Sequence, residues 1–79
     1  MTDSQGVLLF AIKMTERLDE SAHSGKHGWQ HMDEVALNDL EVNLMDNVEE
    51  YINEKDTDEL INIANYCMML YHRRTSLQE

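Results

Sequence analysis

The chain has 79 residues, 42% of them apolar, with no proline, three glycines and one cysteine. This length supports one small domain and excludes a multidomain enzyme, and sixteen acids against six Lys and Arg, a net charge of −10, argue against a surface that neutralises nucleic-acid phosphates. The longest apolar runs, Val7 to Ile12 and Tyr66 to Tyr71, fall far short of the roughly 20 residues a membrane-crossing helix needs.

Scarce glycine and abundant Leu, Met, Glu and Ala point to an all-α domain covering residues 1–79. The first predicted helix runs from about 4 to 18, with Asp3 or Ser4 as its N-cap, and its apolar face is Val7, Phe10, Ala11, Met14 and Leu18, widened by Leu8 and Ile12. Lys13, Glu16 and Arg17 lie outside that face. The opening Met1-Thr2-Asp3-Ser4-Gln5 is acidic and does not read as a secretory signal. A lone Cys67 in an apolar segment is expected to pack as a small hydrophobe in a reducing compartment. Together these imply a cytoplasmic protein, in the host cytoplasm if the source is viral.

From about 19 to 32 the chain turns to Ser, His, Gly and Gln, which predicts one long connection broken at Gly25 and Gly28. Trp29 is expected to anchor it on the helical core. His23, His27 and His31 share a metal-like spacing, but the glycines between them favour solvated loop residues.

A second helix is predicted over 33–53, with Asp33 as N-cap and Leu37, Leu40, Leu44, Val48 and Tyr51 as its apolar stripe, flanked by Val35, Val42, Met45 and Ile52. A short turn leads to a third helix over 57–74, capped by Asp56 or Thr57 and closed by His72, Arg73 and Arg74, with the last residues fraying. So short a turn predicts that the second and third helices form an antiparallel hairpin. A core this small predicts a three-helix unit completed into a bundle by oligomerisation, making a homo-oligomer the expected state.

Eleven acids and one base, Lys55, lie between Asp33 and Glu59, so the hairpin carries the whole net charge. Within it Asn43, Asn47, Glu50 and Glu54, with Asp46 beside them, form a polar stripe on the second helix. On the third, Glu59, Asn62 and Asn65 recur every three residues in an otherwise apolar helix. The buried amides need partners, and the facing stripe of the second helix is the expected supplier. One reading is an amide network fixing helix register. The other is a polar pocket in which Asp46, Glu50 and Glu59 hold a hard cation such as Mg²⁺.

Ile63-Ala64-Asn65-Tyr66-Cys67-Met68-Met69-Leu70 resembles the Asp-Val-Ala-Asn-Phe-Ala-Met-Met-Ile segment of the MazG-like nucleotide pyrophosphohydrolases, and His27-Gly28-Trp29 with Met32 is similar to the Gly-Trp loop of that family's short phage-type members. The resemblance covers residues 27–72. It implies an all-α oligomer in which Glu-x-x-Glu and Glu-x-x-Asp pairs hold Mg²⁺ for hydrolysis of a nucleoside triphosphate to the monophosphate and pyrophosphate. Carried onto this chain, Glu59 matches the third acid and Asn62 stands at the fourth. The first pair falls on Asn47 and Glu50, or one turn earlier on Asn43 and Asp46.

The resemblance thus implies Glu50 and Glu59 as catalytic residues, Glu50, Glu59, Asp46 and Glu49 around the metal, and Asn47, Asn62, Asn65 and Trp29 toward the substrate. Two Asn at acidic positions halve the charge of a four-acid site, which weakens metal binding and catalysis. The competing expectation is a non-catalytic descendant that keeps the fold and either holds a nucleotide in the pocket or acts as a non-enzymatic acidic inhibitor that mimics nucleic acid and occupies a basic protein partner, as viral anti-defence proteins do. A third is a helical accessory subunit whose apolar stripes bury against other chains. Neither a Ser-His-Asp set, a glycine-rich phosphate loop, a CxxC pair nor an HExxH motif is present.

Overall fold

The computed structural model describes residues 1–23 and 28–76, and all of their regular structure is helical. Helix α1 spans Asp3–His23, a single 3₁₀ turn spans Trp29–His31, α2 spans Glu34–Glu54 and α3 spans Thr57–Ser76. The first helix therefore continues past the expected end at Leu18. No glycine or proline interrupts Asp19 to His23, and the His23 ring nitrogen Nδ1 lies 2.8 Å from the Asp19 carbonyl one turn back. At its start the cap is Thr2 rather than Asp3 or Ser4. The Thr2 N–H donates to Gln5 Oε1 at 2.8 Å while the Gln5 N–H donates to Thr2 Oγ1 at 3.2 Å, a reciprocal capping box.

Asp33 caps α2 by accepting the Ala36 N–H at 2.9 Å. The helix ends where Lys55 enters the left-handed region at φ 58 and returns its N–H to the Tyr51 carbonyl at 2.7 Å. Asp56 then caps α3: its side chain accepts the Asp58 N–H at 3.0 Å and its carbonyl accepts the Glu59 N–H at 3.1 Å.

Helix α3 is the centre of the fold. It packs against α2, against the second half of α1 and against the 3₁₀ turn, whereas among the described residues α1 and α2 do not pack on each other. This follows from composition: a helix as apolar as Leu60 to Leu70 needs cover on most sides, and residues 60–66 and 68–70 are buried or half-buried. Its far end is tied to the start of α2. Arg73 Nη2 donates to the Met32 carbonyl at 3.0 Å, and the Arg74 guanidinium forks to Glu34, at 2.6 Å, and to Glu41.

The core is very small. Leu37 and Leu40 are the buried apolar side chains among the described residues, and Asn65 is the buried polar one. Cys67 is exposed, contrary to its expected packing, because it lies on the side of α3 that faces an open groove beside α2. Trp29 is half-buried with its ring centroid 6.1 Å from that of His72. His31 is exposed, and His27 lies outside the described residues. No helix among the described residues is long and apolar enough to cross a membrane.

The Arg73 bond makes a checkable prediction. Arg73→Met keeps the aliphatic stem but leaves the Met32 carbonyl without its cationic donor, so stability falls by about 1.5 kcal/mol and Tm by about 6–10 °C. Trp29 is the single tryptophan and sits three residues before Met32, so its emission shifts to the red when this end loosens. Unchanged Tm and emission would mean that Arg73 does not hold this end.

Candidate functional site

At the opposite end of α3 the first turn of that helix brings acids from two elements together. Glu59 lies beside Glu50 of α2 and Asp56 of the turn, and Arg17 of α1 approaches from the third side. Glu59 is half-buried, and its Oε2 atom is buried with no hydrogen-bond partner. Loss of solvent is the main reason its carboxyl is held above the ordinary glutamate value of 4.5. The charges of Glu50 and Asp56 and a hydrogen bond shared with Glu50 push the same way, and the Arg17 charge opposes them. A cation placed beside Glu59 would offset the like charges that crowd its carboxylate.

Asn62 stands one turn beyond Glu59 on α3. Its side-chain oxygen accepts from Arg17 Nε at 3.0 Å, and Arg17 also reaches Glu20 at 3.3 Å. Lys13, Glu16, Arg17, Glu20, Asp58 and Ile61 line an adjoining cleft of about 190 Å³ between α1 and α3, in which Lys13 pairs with Glu16 at 3.6 Å. The two amides of α3 thus find their partners on α1, not on the polar stripe of α2. Asn65 donates its Nδ2 to the Met14 carbonyl at 3.2 Å and is only 4% exposed. The sequence pairs the wrong helices here because a contact between α1 and α3 depends on how the long connection returns the chain, which periodicity does not encode.

The remaining candidates are dispersed. Asn47 is half-buried on α2 and Asn43 is exposed. Asp46 is exposed, and Glu49 lines the apolar groove with Leu44, Val48 and Ile52, a different side of α2 from the one that carries Glu50 to Glu59. Trp29 sits at His72, which follows Glu59 by 13 residues, about 20 Å along the helix. Among the described residues no three His, Cys, Asp or Glu side chains converge as a metal-binding group.

Two residues of this site escaped sequence reasoning. Arg17 lies outside the apolar face that periodicity gives α1, yet it follows Met14 by three residues and both bond to α3 from one helical side. Asp56 was assigned to capping alone, although the turn it occupies also sets its charge against Glu59. Comparison with known proteins gives no match, whether to a family model, a curated sequence or a solved structure.

Proposed function

We propose that the chain is a MazG-like protein that binds a nucleoside triphosphate with Mg²⁺ where Glu50 and Glu59 meet, and that it hydrolyses the nucleotide weakly. The observation that carries this reading is the buried, unpartnered Oε2 of Glu59 beside a second carboxylate. Mg²⁺ is characteristically held by one or two carboxylates together with substrate phosphates and retained waters, so two acids suffice for binding without a complete protein cage. Bound there, the ion would polarise a phosphate and lower the pKa of a bound water. Arg17 would face the phosphates from the α1 side, and Asn62 holds it in place. The amides at two acidic positions of the family pattern make this a site better suited to binding than to rapid turnover. The short turn at Lys55 and Asp56 supports the reading, since it keeps the last turns of α2 close to the first turn of α3.

A second reading draws on the exposed acids Asp39, Asp46, Glu49, Glu54 and Asp58, which lie away from the Arg74 pair and suit a basic protein surface.

Calorimetry with Mg²⁺ and a non-hydrolysable nucleoside triphosphate tests the first reading, with Glu59→Gln as the control. Wild type is expected to bind the nucleotide only with Mg²⁺, and Glu59→Gln to bind it at least about tenfold more weakly. The same variant is expected to be more stable than wild type at neutral pH in the absence of metal. Because the folded value of Glu59 is raised, its favourable contribution is complete below 4.5 and is lost as pH rises through the folded value. Glutamine is neutral throughout and removes that loss. Equal Mg²⁺-dependent binding in both proteins would overturn the site, and no heat with either would turn attention to the acidic surface.

A further inference from the structure

Residues 6–12 of α1, Gly-Val-Leu-Leu-Phe-Ala-Ile, contain no polar side chain, and four successive helical residues point to all sides of the axis. Val7, Leu8, Leu9, Phe10 and Ile12 are nevertheless between 40% and 68% exposed. The polar ties of α1 to α3 lie further along, at Met14 and Arg17, so the first half of the helix is an apolar cylinder facing water. A helix apolar on every side belongs in a buried setting.

A second apolar surface lies between α2 and α3. Leu44, Val48 and Ile63 line a groove of about 550 Å³ that Met45, Ile52 and Glu49 also border. Met45 is 71% exposed and Ile52 58%.

The dimensions of the chain match this unfinished packing. Its accessible surface is 5967 Å², whereas a folded monomer of 9.2 kDa exposes about 4,900 Å². The excess of about 1,000 Å² compares with the roughly 800 Å² each partner buries in a stable interface. The radius of gyration, 13.5 Å, likewise exceeds the value of about 11.6 Å for a compact chain of this length.

Charge decides which surfaces meet. Two α2 faces brought together would set Asp46 and Glu49 against their own counterparts in a protein of net charge −10. Residues 4–15 contain no acid and one base, Lys13, so α1 can lie along the acid-bordered groove without that repulsion. When the segment of each copy enters the groove of the other, the exchange closes the contact at two copies.

We infer that the protein is a two-fold dimer in which the first half of α1 of each copy occupies the α2/α3 groove of the other. Sedimentation equilibrium of the full chain at micromolar concentration is expected to return twice the 9.2 kDa monomer mass. Leu8→Glu and Met45→Glu change residues on opposite sides of the contact, both exposed within one chain. Each is expected to weaken association at least about 100-fold with helix content by circular dichroism retained.

Cys67 borders the groove and is exposed in the single chain, so it serves as a probe that needs no substitution. Its labelling by a maleimide is expected to be at least about tenfold slower in the dimer and to recover on dilution. A mass of one chain, a mass of three or more, a dimer that survives either substitution, or Cys67 labelling at the free-thiol rate within the dimer would each overturn the arrangement.

Discussion

Replacing Leu37 with alanine is expected to remove about 3 kcal/mol of stability, seen as a fall in Tm of more than about 12 °C. Among the described residues Leu37 is the one fully buried large side chain, at 0% exposure, and Leu40 is the other buried apolar residue. Truncating a buried leucine loses the transfer free energy of its methyl groups and leaves a cavity that the surroundings fill only partly. A domain of this length has total stability on the order of 4–12 kcal/mol, and so small a core among the described residues places this chain toward the lower end. The substitution therefore leaves a substantial unfolded population near body temperature. Urea unfolding followed by Trp29 emission and by circular dichroism measures the change. Val35 is 69% exposed on the same helix, and Val35→Ala is expected to shift stability by less than about 0.5 kcal/mol. Similar losses at the two positions would contradict a core centred on Leu37.

At Asn65 the expected results diverge with the chemistry of the replacement. Asn65→Asp puts an acceptor-only carboxylate against the Met14 carbonyl, which the native amide satisfies as a donor at 3.2 Å. The site is 4% exposed and the native amide oxygen Oδ1 has no partner there, so the ionised form is expected to destabilise by about 3 kcal/mol. The folded-state pKa of such an aspartate is raised. Its stability contribution is thus present below about 3.9, the unfolded value, and lost as pH rises through the folded value. Lowering the pH should recover much of the loss.

Asn65→Leu forfeits the bond to Met14 but also removes the buried unpartnered oxygen, leaving stability within about 1 kcal/mol of wild type. Nucleotide binding by this variant is expected to be unchanged, because the Asn65 amide is engaged with the backbone of α1. Thermal unfolding across pH, together with the Mg²⁺-nucleotide titration, separates these outcomes. Loss of nucleotide binding in Asn65→Leu would return this residue to the substrate site.

The carboxylate pair and the apolar groove occupy different sides of the same stretch of α2 and α3. Glu50 and Glu59 lie at the turn between α2 and α3, while the groove side of α2 carries Glu49. Met45→Glu should therefore alter association without directly changing the Glu50 and Glu59 pair. A nucleotide site that fails alongside an intact dimer, or the reverse, tells the two proposals apart.

Local sequence determined the elements. Asp33 ahead of a periodic run fixes the start of α2, since a carboxylate there satisfies a free N–H, and Asp56 does the same for α3. The near-continuous apolar character of residues 60–70 determined that α3 would be central, because no other placement covers so much of one helix. The identities of Glu50 and Glu59 as candidates were also legible, since both their spacing and their charge are properties of single helices.

Tertiary structure alone decided which faces meet. Whether Asn62 and Asn65 answer α1 or α2, and whether the charge of Arg17 or that of Asp46 and Glu49 acts on Glu59, depends on helix rotation and on the path between α1 and α2. A rotation of one residue, 100° about the axis, moves a side chain from the site to the opposite groove. The physical reason is that apolar periodicity selects a broad stripe, and on α1 and α2 that stripe is wider than one neighbour can cover. Leu37 and Leu40 are buried within the chain while Val42, Met45 and Ile52 of the same helix are not.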